Sequence, residues 1–65
     1  SQKRETIRQL KAVRAEALKH ARLARELADV RRELIRNLID DGVSQAEIAR
    51  ELGVSRQAIQ KMLAT

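Results

Sequence analysis

Four side chains near the end of the chain, Arg56, Gln57, Gln60 and Lys61, share one face of any helix drawn through residues 55 to 63. A guanidinium offers parallel N–H donors that match the O6 and N7 acceptors of guanine. A carboxamide offers a donor beside an acceptor and matches N6 and N7 of adenine. Lys61 is a point charge, better suited to a phosphate, which positions a protein without reading bases. The chemistry on offer is hydrogen bonding to the edges and backbone of duplex DNA. It requires a rigid helix that holds these groups away from the protein's own core.

The surrounding residues supply such a support. Ser44-Gln45-Ala46-Glu47 has the form of a capping box. The Ser44 hydroxyl is expected to accept from the Glu47 amide, and the Glu47 carboxylate to reach back to the Ser44 amide. Val43 and Ile48 flank it as a hydrophobic staple, and Val54 and Ile59 repeat that pattern around Ser55, the cap expected for the next helix. The only two glycines, Gly42 and Gly53, each follow an apolar-periodic run, where a left-handed residue closes a helix without a β-carbon clash. Ala49 is small, as the closest crossing of two helices requires. Ile48, Leu52, Val54, Ile59 and Met62 are expected to form the shared core, leaving the four polar side chains outside. The start of the helix after Ser44 also presents backbone amides suited to a phosphate.

Two short helices joined by Leu52-Gly53-Val54-Ser55 make a helix-turn-helix. The stretch resembles the tri-helical helix-turn-helix domains of bacterial and phage repressors and of the resolvase/invertase recombinases. The matching residues are Ser44, Ile48, Ala49, Leu52, Gly53, Val54, Ser55 and Ile59. The resemblance covers about the last 35 residues. It implies that residues 55 to 63 form the recognition helix, with Ser55, Arg56, Gln57, Gln60 and Lys61 at DNA-facing positions. Ser44, Gln45 and Arg50 then lie where the supporting helix meets phosphates.

Composition narrows the alternatives. A chain of 65 residues makes one small domain at most. Without cysteine it has neither a disulfide framework nor a Cys-based metal site, and its single histidine does not complete a zinc site. There is no nucleophile–base constellation, no phosphate-binding loop and no paired carboxylate cleft, so an enzyme is not expected. No cofactor or small-molecule ligand is implied. No run of apolar residues is long enough to span a membrane, and no signal peptide is visible. Aromatic residues are absent, which disfavours single-stranded nucleic acid, usually held by stacking on aromatic rings. The net charge of +5 suits a polyanionic partner. Its distribution is unexpected. Residues 1–36 hold eleven Lys/Arg against five Asp/Glu, whereas residues 37–65 hold three against four. The proposed reading head is nearly neutral.

A single long helix is predicted from about residue 3 to residue 41, since the segment lacks Gly and Pro and is rich in Ala, Leu, Arg and Glu. Glu5/Arg8, Glu16/Lys19, Asp29/Arg32 and Glu33/Arg36 are spaced to pair along its surface. Ile35 and Ile39 broaden its apolar face where the helix-turn-helix must pack. Leu10, Val13, Ala17, His20, Ala24, Leu27, Arg31, Leu34 and Leu38 follow alternating spacings of three and four, a coiled-coil seam interrupted by His20 and Arg31. His20 is expected to set register or point outward. So little apolar surface makes a lone monomer marginal, so a homodimer paired antiparallel through the long helices is expected.

The sequence therefore predicts an all-α fold, with a long N-terminal helix followed by a two-helix helix-turn-helix. Residues 1–28 form the dimerisation part of the long basic helix, and residues 29–65 the tri-helical DNA-binding domain. The expected function is sequence-specific binding of double-stranded DNA by a small cytoplasmic, nucleoid-associated regulator, such as a repressor, a phage or plasmid regulator or a partition adaptor. The alternative is a helical interaction module whose long helix docks on a larger protein.

Overall fold

The computed structural model describes residues 1–65 and contains three helices and no strand: α1 (Gln2–Asp40), α2 (Gln45–Leu52) and α3 (Arg56–Ala64). The molecule measures 62 × 18 × 16 Å, because α1 runs far beyond the two short helices packed on its C-terminal part. Both glycines close helices as their placement suggests. Gly42 has φ 93° and Gly53 φ 69°, in the left-handed region where any β-carbon is strained. The Val43 amide donates to the Leu38 carbonyl at 3.0 Å, and the Val54 amide to the Ala49 carbonyl at 3.0 Å. These five-residue back-bonds define Schellman closures. Together with the serine caps they set the angles between α1, α2 and α3.

The core is small. Ile35, Ile48, Ala49 and Ile59 are buried, and Ile39, Val43, Met62 and Leu63 pack against them. Ala49 lies within that cluster, as expected for a close crossing. Two of the expected core residues do not belong to it: Leu52 is 55% exposed and Val54 38% exposed. Leu52 faces a groove between α1 and α2 that is open on one side, and Val54 sits in the turn before α3. Of the two residues expected to precede the caps as staples, Val54 is exposed, whereas Val43 packs on the core. Leu63, absent from the expected core, covers it from the last turn of α3.

Local pairing on α1 follows the expected spacing only in part. Arg8 pairs with Glu5 at 2.8 Å and Arg32 with Asp29 at 2.6 Å. Glu16 instead faces His20 at 3.4 Å, one turn along, rather than Lys19. Glu33 and Arg36 form no ion pair. Such exposed pairs are separated by a few tenths of a kcal/mol, so rotamer preference decides between them.

Candidate nucleic-acid interface

The helix α3 is divided cleanly along its length. At about 100° per residue, its buried and half-buried residues, Ala58, Ile59, Met62 and Leu63, occupy one arc. Arg56, Gln57, Gln60 and Lys61 occupy the opposite one and are all exposed. Ile59 anchors the division, with 0% of its surface exposed. Ser55 caps the helix, its Oγ accepting from the Ala58 amide at 3.1 Å. The cap holds the first turn rigid where Arg56 and Gln57 project.

On α2, Ser44 Oγ accepts from the Glu47 amide at 3.1 Å. The reciprocal bond of a full capping box is absent, because Glu47 turns instead toward the α1–α2 groove. The Gln45 and Ala46 amides have no partner in the chain, which leaves two donors at the positive end of the α2 dipole. Arg50 is exposed on α2. Gln45 differs from the other seven candidate residues: its side chain is half-buried, and its Oε1 is shielded without a donor. Its backbone amide is thus better placed than its side chain to meet an anion.

Charge within residues 37–65 is segregated in a way that a linear count conceals. Arg50, Arg56 and Lys61 are exposed and engaged in no ion pair, and no side chain of α3 is a carboxylate. Glu47 and Glu51 line the groove against α1 with Arg31, away from the polar arc of α3. The exposed arc of α3 is thus cationic, and two of the four carboxylates of residues 37–65 line a groove that no residue of α3 borders.

The seat of α3 involves more than the spacing of its own residues. Ala58 is half-buried, and Leu63 packs against the buried cluster to which α1 contributes Ile35. No helix of the chain is long and apolar enough to cross a membrane. No curated protein and no solved structure matches the chain. Residues 13–65, from the seam of α1 through all of α2 and α3, match the family described as KORA: TrfB plasmid transcriptional repressor. With a helix-turn-helix whose second helix exposes a polar arc opposite its buried residues, the chain belongs to this family of plasmid transcriptional repressors.

Proposed function

We propose that the protein represses by inserting α3 into the major groove of a specific duplex site. In this reading Arg56 pairs with a guanine, and Gln57 and Gln60 with adenines. Ser44, the Gln45 and Ala46 amides, Arg50, Ser55 and Lys61 hold the flanking phosphates. The observation that carries it is the exposed polar arc of α3 opposite the fully buried Ile59. We read the likeness of the turn motif to resolvase and invertase domains as a shared fold rather than a shared activity.

The same reading includes a homodimer. Leu27, Val30, Leu34 and Leu38 remain exposed along α1. A groove of about 410 Å³ beside them is lined by Leu34, Leu38, Ile48 and Leu52, with Arg31 on one wall and Glu47 and Glu51 on the other. A second copy laid antiparallel along the seam covers these apolar residues. If the pairing is centred between Arg31 and Leu34, it also brings each Arg31 toward the other chain's Glu47 and Glu51, which gives the seam's charged interruption a partner. No residue of α3 lines this groove, so pairing leaves both recognition helices free. Docking of α1 on a larger protein would use the same face, and the charge complementarity of the groove favours a second copy.

Selection of bound duplexes from a random pool tests function and pairing together. Convergence on an inverted repeat, with half-sites separated by a constant spacing, is the outcome expected of two chains each reading one half. Recovery of sequences no different from the starting pool would refute sequence-specific binding.

A further inference from the structure

The N-terminal half of α1 is used by neither α3 nor the core, and its charge is sorted by direction. On a uniform helix of about 100° per residue, Lys3, Arg4, Arg8, Lys11, Arg14, Lys19, Arg22 and Arg25 all fall within one arc of about 160°. They are every lysine and arginine of residues 1–25, and all are exposed. The two carboxylates of that segment, Glu5 and Glu16, lie outside the arc. Only Arg8 is in an ion pair, with Glu5. Arg4, Arg8 and Lys11 surround a common shallow recess near the helix start. Beyond residue 25 the pattern stops: the same arc then carries Glu26, Asp29, Glu33 and Asp40 beside Arg32 and Arg36.

We infer that this stripe is a second DNA contact, gripping the phosphate backbone that flanks the site read by α3. Three observations give it that partner. First, the apolar seam runs along the opposite side of α1, so pairing of two copies leaves the stripe outside. Second, the residues of α1 whose exposure is reduced turn toward the edge of the stripe nearest the seam: Ala28 and Ile35 lie between the two, Ile39 at the stripe's edge and Arg32 just inside it. The short helices are therefore seated next to the stripe's direction, which puts the stripe within reach of a duplex that lies over α3 and continues toward the start of α1. Third, the stripe is confined to the arm that projects past the helix-turn-helix: Thr65, the last residue, lies by Arg22 and Arg25. From Lys3 to Arg25 at about 1.5 Å per residue the arm spans about 33 Å, close to one turn of B-form DNA at about 34–36 Å. The contact is to phosphate alone, since widely spaced flexible cations carry no base code.

The inference rests on the reading of α3 as the major-groove helix, and one experiment separates the two. The variant Lys3→Gln, Arg4→Gln, Lys11→Gln, Arg14→Gln removes four cations outside any ion pair and keeps good helix formers in place. Circular dichroism checks that α1 is retained. Affinity is then measured across salt concentrations for a duplex of about 40 base pairs carrying the selected site, and for a duplex trimmed to that site alone. For the variant on the long duplex, the slope of log affinity against log salt should fall by about 2–4, near 0.9 for each phosphate that is no longer neutralised. Affinity at about 0.1 M salt should drop tenfold or more. Trimming the flanks should weaken the unaltered chain and leave the variant nearly unchanged, while discrimination between selected and scrambled sites stays intact in both.

An unchanged salt slope with discrimination preserved overturns the stripe and leaves α3 as reader. Flank-dependent binding without any discrimination supports the stripe and overturns the reading of α3. If the substitutions leave duplex affinity intact but abolish binding to phosphatidylserine vesicles, the stripe belongs to a membrane surface and the inference fails.

Discussion

Replacing Gln57 and Gln60 together by alanine should abolish most discrimination between the selected site and a scrambled duplex while leaving the fold intact. Each bidentate contact to a base edge contributes about 1–3 kcal/mol of discrimination, so the pair is expected to lose about thirtyfold or more. Both side chains are exposed on α3, and alanine is the stronger helix former, so α3 should form at least as readily as before. The Ser55 cap and the Ile59 anchor are untouched. Neither glutamine is charged, so the salt slope should hold. Competition titrations against both duplexes read this combination, and retained discrimination would remove the glutamines from the reading surface.

A second large effect is expected at Ile59. It is fully buried and holds α3 in a core of only four buried residues. Truncation of a buried isoleucine to alanine costs about 2–5 kcal/mol, a large share of the stability of so small a domain. Ile59→Ala should therefore release α2 and α3, whereas much of α1 stays helical through its own composition. Hydrogen exchange should show the amides of α2 and α3 unprotected, and specific DNA binding should vanish with them. Ile59→Val, which removes one methylene and costs about 0.5–1.5 kcal/mol, should retain both. Wild-type protection in Ile59→Ala would show that α3 is held by something other than this core.

Local rules explain how much of the fold is legible in the residues. Caps and closing glycines act within a few positions, so the limits of the helices around the turns follow from Ser44, Gly42, Gly53 and Ser55 to within a residue or two. The division of α3 follows from the spacing of Ile59, Met62 and the polar residues between them. Periodicity names the apolar side of a helix and is silent on whether another element covers it. For that reason the pattern places Leu52 and Val54 inside although they lie exposed, and it does not single out Leu63 at the end of the chain. A count along the chain likewise makes the reading head look neutral. In three dimensions Glu47 and Glu51 turn to the groove, while Arg56 and Lys61 stand on α3. Residue type does not reveal direction either, and Gln45 illustrates this with a half-buried side chain.

Base methylation interference on the selected duplex reports most directly which groove α3 occupies. Methylation of guanine N7 places a methyl group in the major groove, and methylation of adenine N3 places one in the minor groove. With Arg56, Gln57 and Gln60 reading base edges from α3, N7 methylation within the selected site should block binding, and N3 methylation there should be tolerated. Interference confined to N3, or its absence from both positions while the site is still bound, would contradict entry of α3 into the major groove.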